Sequence, residues 1–286
     1  MEEIIEKAEV LIEALPYIRS FKGKTVVVKY GGSTMAGEHR TDTVLTDVVF
    51  METVGMRPVV VHGGGKEISQ RMQELGVQTQ WVNGLRVTDE PAMEVVEETL
   101  FGFVNKEIVR EILRLGGRVE GVSAKDAGIM RTKRHFAVVD GRPVDIGFVG
   151  EVERIDIKPI VDRCDRGIIP VIAPIGLGED GRSYNVNADT AAGEIAAALK
   201  AEKLVFLTDV KGIMRDERLL STVYVGSVEE LVENGTITGG MIPKIRACVK
   251  AVKAGVRKTH IIDGRIPHSM LLEIFTDKGV GTEMVM

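Results

Sequence analysis

The chain has 286 residues, enough for two average domains or one large α/β domain and for a core held without disulfides or metal. Its 37 lysines and arginines against 42 aspartates and glutamates give a net charge of −5, which speaks against a nucleic-acid binder, and 44% hydrophobic with 28% charged residues speaks against disorder. No run approaches 18 apolar residues, the acidic N-terminus lacks the regions of a secretory signal, and Cys164 and Cys248 form no CxxC, so a cytoplasmic chain with two reduced thiols and no membrane span is expected.

Ile4, Ile5, Ala8, Leu11, Ile12 and Leu15 share one face of a predicted helix over 2–15, which Pro16 should end. A strand at 25–30 follows, then a helix over about 40–55. The strand 58–61 runs into Gly63-Gly64-Gly65 and a helix near 66–75. The pattern then predicts one long helix over about 90–115, a strand at 118–123 and a hairpin within 135–153 turning at Asp140-Gly141. A helix at 156–166 leads to a strand at 168–173. The second half reads as helix 189–200, strand 203–208, helices 227–234 and 242–254, strand 258–262 and helix 267–276. Short β-branched runs between helices of this length predict an α/β fold: one continuous, mostly parallel sheet between two helical layers, with two lobes meeting near 175–185.

Two strands end directly in glycines, at Tyr30-Gly31-Gly32 and His62-Gly63-Gly64-Gly65. Ligands of open parallel sheets bind beyond the carboxyl ends of the strands, where glycines let backbone N–H groups turn toward an anion and the next helix adds its positive dipole end. A phosphorylated or carboxylated ligand is therefore expected. Gly176-Leu-Gly178-Glu-Asp-Gly181 matches the dinucleotide pattern, but no helix follows at once, so a nicotinamide cofactor is rejected. No Walker loop exists, since Gly65-Lys66 is followed by Glu67, and the five histidines lack zinc-ligand spacing.

Three polar segments complete the constellation. Asn185-Val-Asn187-Ala-Asp189 precedes a helix and carries more polar groups than a cap needs. Arg86, in Asn83-Gly-Leu-Arg-Val-Thr88, could clamp a carboxylate in bidentate fashion. Lys244, after Gly239-Gly240-Met241-Ile-Pro243, falls in the first turn of a helix, a position that opposes the dipole unless an anion lies nearby.

Taken in order over nearly the whole chain, Lys29–Gly32, His62–Gly65, Asn83–Asp89, Asn185–Asp189, Leu207–Gly212 and Gly239–Lys244 closely resemble the acetylglutamate kinases of the amino acid kinase family. The resemblance implies the amino acid kinase fold and transfer of the ATP γ-phosphoryl to the γ-carboxylate of N-acetyl-L-glutamate, in arginine biosynthesis. Such a reaction joins two anions, so it needs charge neutralisation and positioning; a carboxylate with a pKa of about 4.3 is already ionised and needs no base. By the match, Lys29 and Lys244 are the cations at the transferring phosphoryl and Asp189 holds both. Gly64, Gly65, Arg86, Asn185 and Asn187 match the substrate positions; Gly31, Gly32, Gly63, Asp209, Lys211 and Met241 match the ATP side. Mg²⁺ is expected to ride on the nucleotide phosphates, with no protein-ligated metal. The expected division is an oligomerisation helix at 1–22, a lobe at 23–180 for the acylated amino acid and a lobe at 181–286 for ATP.

The extra N-terminal helix resembles the long form of the family, which interlaces dimers into a hexamer, a trimer of dimers, and is inhibited by arginine. Tyr17, His268, Glu273, Gly281 and Glu283 are the residues expected to meet that effector. Three segments depart from the usual pattern, at Ser33-Thr34, Lys66 and Ala124, and none carries a charge role. Two alternatives stand beside this reading: a related kinase acting on a carrier-protein-bound aminoadipate or glutamate, and a non-catalytic amino-acid sensor on the same scaffold.

Overall fold

The protein is described from a computed structural model, which covers residues 2–31, 41–276 and 279–286. Helix α1 (Glu2–Phe21) leads into β1 (Thr25–Tyr30), α2 (Thr41–Thr53), β2 (Arg57–His62) and α3 (Gly65–Glu74). The two-residue strands β3 (Trp81–Val82) and β4 (Leu85–Arg86) make a small hairpin before α4 (Glu90–Glu97), a π-helical segment (Glu98–Val104) and α5 (Asn105–Arg114). Then come β5 (Val119–Ser123), the long strands β6 (Met130–Val139) and β7 (Arg142–Ile155), α6 (Lys158–Asp165), β8 (Ile169–Ala173), β9 (Ile175–Gly178) and β10 (Ser183–Asn185). The last third holds α7 (Ala188–Leu199), β11 (Lys203–Thr208), the short β12 (Met214–Arg215), β13 (Arg218–Leu219) and β14 (Thr222–Tyr224), α8 (Val228–Glu233), α9 (Met241–Lys253), β15 (Lys258–Asp263), α10 (Ser269–Ile274) and β16 (Thr282–Val285).

Eight strands form the central sheet in the order β14-β16-β15-β11-β1-β2-β8-β5. Every pairing is parallel except β15 with β16. Alternate side chains of β1 point to opposite faces. Val26, Val28 and Tyr30 pack with α2, α5 and α10, through Leu45, Met51, Ile112 and Met270. Val27 faces the other layer, with Ile195 of α7 and Ile245 of α9. Lys29 shares the parity of Val27, so β1 delivers its ammonium toward α7 and α9.

The expected single sheet is corrected by a second one. Strands β6, β7, β9 and β10 close into a four-stranded ring outside the central sheet. Glycines make that closure possible: a Cβ on Gly176 would lie 2.2 Å from Thr132 Cγ2, and one on Gly178 would lie 2.4 Å from the Tyr184 ring. The glycine pattern that imitates a dinucleotide fingerprint is thus a packing device. Residues 175–185, expected where lobes meet, are the β9–β10 hairpin of this ring.

Two helices also differ from expectation. Helix α1 continues through Pro16 to Phe21. Tertiary contact outweighs the lost backbone hydrogen bond there, since Tyr17 sits edge-on to Phe275 with centroids 6.3 Å apart. The long helix over 90–115 is interrupted by the π-helical segment, an insertion that shifts the helical face and often marks a functional site.

Gly147 locks the ring to the segment carrying Arg86. Its φ is +77° and an added Cβ would lie 2.1 Å from Thr88 O, in the bridge where Phe148 N donates to Thr88 O at 2.6 Å. Gly147→Ala is expected to cost about 1–3 kcal/mol in urea unfolding. Unchanged stability would show that the Thr88 segment yields freely.

Candidate active site

A cleft of about 610 Å³ opens beyond the carboxyl ends of β1 and β2, between the central sheet and the ring. Lys29, Gly63–Gly65, Arg86, Asn185, Asn187 and Asp189 line it. The structure thus gathers residues far apart in the chain at the place the strand topology predicts for a ligand.

Asp189 is its electrostatic centre. Lys29 Nζ lies 3.1 Å from Asp189 Oδ1 and Lys244 Nζ lies 2.7 Å from Asp189 Oδ2. Burial pushes the Asp189 carboxyl up, and the two ammonium groups outweigh it, holding it below the usual carboxylate range. Asp189 also sits in the first turn of α7, where the dipole favours an anion. Lys244, in the first turn of α9, opposes its own helix dipole; Asp189 and the face of Phe206, 5.1 Å away, offset that cost.

The two glycine turns pack on each other. Gly63 N donates to Tyr30 O at 2.7 Å, and Gly31, at φ +151°, could carry no Cβ because that atom would lie 2.8 Å from Gly63 N. A Cβ on Gly64 would meet Leu100 of the π-helical segment at 2.7 Å. Gly64 caps α3 without a side chain, leaving the first N–H groups of that helix facing the cleft.

Arg86 is 5% exposed and fixed by neutral partners. Nη2 donates to Gly65 O at 2.9 Å and to Ser69 Oγ at 2.7 Å, Nη1 approaches Thr79 Oγ1 at 3.4 Å, and the guanidinium stacks 4.5 Å from the Trp81 ring centroid. No acid pairs with it among the described residues, and burial lowers its pKa. It is a preoriented cation at the cleft wall. Asn185 Nδ2 donates to Thr88 Oγ1 at 3.3 Å, whereas Asn187 Oδ1 caps α7, accepting from Asp189 N at 2.9 Å and Thr190 N at 3.1 Å. The three polar groups of that segment therefore have three different tasks.

Asp209 and Lys211 are exposed just past β11 and Met241 opens α9; none of them lines the cleft. Gly32 lies outside the described residues, as do Ser33 and Thr34. Among the described residues no cluster of His, Cys, Asp or Glu is arranged to hold a metal ion.

A second cavity of about 490 Å³ lies at the opposite ends of β11 and β15, walled by α1, α10 and β16. It brings together Tyr17, Glu273, Gly281 and Glu283 of the residues expected to meet an effector. His268 is elsewhere, its Nδ1 2.6 Å from the buried Asp47 of α2. Glu273 receives His260 Nδ1 at 2.7 Å and the N–H groups of Val280 at 2.7 Å and Gly281 at 3.1 Å. Lys203, whose Nζ is 3.1 Å from His260 Nε2, is pushed by burial down to about 8.

His62, which zinc spacing alone could not single out, is fully buried behind the triple glycine, and desolvation lowers its pKa to about 4. An unfolded histidine titrates near 6.5, so below that pH the unfolded chain binds a proton that the folded chain refuses until about 4. Stability therefore falls as pH drops through this window. In His62→Gln the acid loss measured by urea unfolding from pH 6.5 to 4 should be shallower by up to one proton; an identical slope would place the proton uptake elsewhere.

The sequence pattern of the amino acid kinase family matches residues 24–263. An acetylglutamate kinase of Heliobacterium modesticaldum is 55% identical over 99% of this chain and 99% of its own. Among solved structures, an N-acetylglutamate synthase from Neisseria gonorrhoeae with coenzyme A and N-acetyl-glutamate superposes with a TM-score of 0.84 at 26% identity, over 96% of this chain. This chain spans only 62% of that synthase. The same synthase with coenzyme A and L-arginine gives a TM-score of 0.81 at 26% identity, over 96% of this chain and 64% of the synthase. The chain belongs to the amino acid kinase family, within it to the acetylglutamate kinases, and is an enzyme of that kind.

Proposed function

We propose that the protein transfers the γ-phosphoryl group of ATP to the γ-carboxylate of N-acetyl-L-glutamate, forming N-acetyl-L-glutamyl 5-phosphate, the second step of arginine biosynthesis, in the cytoplasm. The observation that carries this is the pair Lys29 and Lys244 meeting on Asp189 beside two glycine turns. Two negative groups must approach in line, and the barrier is chiefly their repulsion. Two ammonium groups held by one acid supply positive charge without reorganising during the reaction. The acceptor is already ionised and needs no base, and among the described residues no histidine lines the cleft.

Arg86 and Asn185 divide the acceptor end. The uncompensated guanidinium suits the α-carboxylate, the Asn185 amide with the Gly65 backbone suits the acetylated end, and the Gly64 N–H suits the reacting γ-carboxylate end, where the phosphoryl arrives. ATP enters from the other side, toward Gly31, Gly32, Gly63, Asp209, Lys211 and Met241, with Mg²⁺ carried by its phosphates. In this reading residues 23–180 form the acceptor lobe and 181–286 the nucleotide lobe. A carrier-bound acceptor would want a free basic face, but Lys133 and Arg134 are paired with Glu151 at 3.4 Å and Asp145 at 3.3 Å. A pure sensor would have no need of the Lys–Asp–Lys arrangement.

The second cavity suits arginine, as an inhibitor acting at a distance. Its lining carries the carboxylates of Glu273, held by His260 at 2.7 Å, and of Glu283, paired with Lys258 at 2.7 Å, which a guanidinium would have to share, and α1 supplies Tyr17 as a wall. The Neisseria gonorrhoeae synthase forms a complex with coenzyme A and L-arginine. Ile5, Ile12 and Leu15 of α1 are exposed, an apolar face suited to a second copy of the chain, and interlaced dimers would build a hexamer.

In a hydroxamate assay N-acetylglutamate should support turnover well above glutamate, aspartate or UMP. Lys244→Met should lower kcat on the order of 10²-fold, as for a lost transition-state donor; full activity in that variant would remove the charge role. A chain lacking residues 1–20 should elute smaller on gel filtration and lose arginine sensitivity while keeping turnover without arginine. An unchanged elution volume would reject the interlacing role of α1.

A further inference from the structure

Two consecutive glycines place a peptide group, Gly63–Gly64, directly on the cleft wall. Neither residue has a Cβ, so little intrinsic sterics decides which way that peptide faces. One orientation offers the cleft an N–H donor. The other offers it a carbonyl oxygen, which would repel a phosphoryl group.

The hydrogen bonds behind the turn resolve the choice. His62 Nδ1 lies 2.9 Å from Gly63 O. A carbonyl only accepts, so Nδ1 carries the proton. Nε2 lies 3.1 Å from Asn105 Nδ2, and that same amide nitrogen donates to Val171 O at 2.9 Å. The second contact fixes the amide orientation, so Asn105 donates to Nε2 and a single neutral tautomer satisfies every partner. With the Gly63 oxygen held inward and no cis peptide present, the Gly64 N–H points the other way, toward the cleft. It donates to no backbone carbonyl among the described residues.

Three otherwise unexplained features converge on this arrangement. The π-helical segment ends at Val104, so that Asn105, 1% exposed, faces inward at the start of α5. Gly121 of β5 has no Cβ because that atom would lie 2.0 Å from Asn105 Oδ1. His62 itself is buried to 0% exposure, with Lys29 the charged group acting on it, and burial holds it neutral.

We propose that His62 and Asn105 are positioning residues: a neutral hydrogen-bonded latch that holds the Gly63–Gly64 peptide with its N–H facing the transferring phosphoryl group. The inference rests on the kinase reading above. Removing the latch frees the peptide to flip, which damages the transition state more than it damages binding of the acceptor.

The test compares three variants of the full chain in the acceptor-dependent assay. His62→Leu should lower kcat by about 10²-fold, with KM for N-acetylglutamate changed less than about threefold. His62→Gln, whose amide can donate to Gly63 O and accept from Asn105, should recover most of that loss. Asn105→Asp replaces the donor by an acceptor. Nε2 must then bind a proton, and only the imidazolium can serve both partners. Its kcat should therefore fall as pH rises through neutrality, a limb absent from the wild type. Nitrogen NMR of the wild type, which needs no substrate, should show His62 protonated on Nδ1 from pH 6 to 8. The latch is overturned by H62L turnover within about threefold of wild type, by equal losses in H62L and H62Q, by a wild-type pH profile in N105D, or by an Nε2 proton. Should H62L fail to fold, N105D and the NMR decide. A wild type that shows the Nδ1 proton but no acceptor-dependent turnover would sink the kinase reading instead.

Discussion

The site depends on one electrostatic constraint, the sharing of Asp189 by Lys29 and Lys244. Each ammonium alone would be free to swing on its flexible stem. One carboxylate with an oxygen for each cation fixes both tips on the cleft side of the sheet, at 3.1 and 2.7 Å. The constraint requires three elements in one layer: the odd-numbered face of β1, the first turn of α7 and the first turn of α9. Parallel pairing of β1 with β11, Lys29 opposite Phe206, brings those helices over the strand end. Register in the sheet thus becomes position of charge. A slip of one residue would turn Lys29 into the opposite layer, among Leu45, Met51 and Ile112.

How much of this was legible in the sequence follows from which interactions are local. Strand β11 at 203–208 and helix α7 need only a run of apolar residues or a cap, and both fall within a residue of expectation. Lys29, Asp189, Arg86, Asn185 and the triple glycine were recognisable because their types already imply anion chemistry, and the fold brings them to one cleft. The ring of β6, β7, β9 and β10 was not legible, since it closes through pairings such as Asn185 with Val149 and Arg131 with Leu177, which have no local signature. Strand β16, which lies between β14 and β15, has no local signature for the same reason: it joins β15 against the parallel direction at Thr259–Met284. The π-helical segment hid inside a good helical pattern, and with it went the inward direction of Asn105. His62 has no metal-ligand spacing and no other local signature of a role, because that role depends on Gly63, Asn105 and Val171 meeting in space.

The two cavities lie at opposite ends of the strands of one sheet. Lys203 begins β11 and His260 sits in β15 at the second cavity, whereas Lys29 and Gly63 lie at the carboxyl ends of β1 and β2. Between them the strands are buried on both faces, from Leu204 to Leu207 in β11 and from Val26 to Val28 in β1. Close-packed interiors of this kind transmit displacement instead of absorbing it. Any influence of one cavity on the other therefore has to move whole strands or the helices against them. The contact of α10 with α2, made by His268 and Asp47, is one such junction outside the sheet.

Charge balance explains why the catalytic side of the cleft combines cations with neutral donors instead of adding more cations. Lys29, Lys66 and Arg86 line the cleft and Lys244 adjoins it, against one lining acid among the described residues, Asp189, a surplus of positive charge that in the proposed reaction the acceptor carboxylates and the nucleotide phosphates offset. A further fixed cation would bind substrates and the acyl-phosphate product alike, deepening the ground state without favouring the transition state. Backbone N–H groups are different, because they respond mainly to charge that develops within hydrogen-bond range. They are useful only if they cannot turn away, and glycines, which the close approach requires, are the residues least able to resist turning. A buried histidine held neutral is suited to that restraint. It donates one firm hydrogen bond to the Gly63 carbonyl and, unlike a charged group, adds nothing to the field in which the phosphoryl moves.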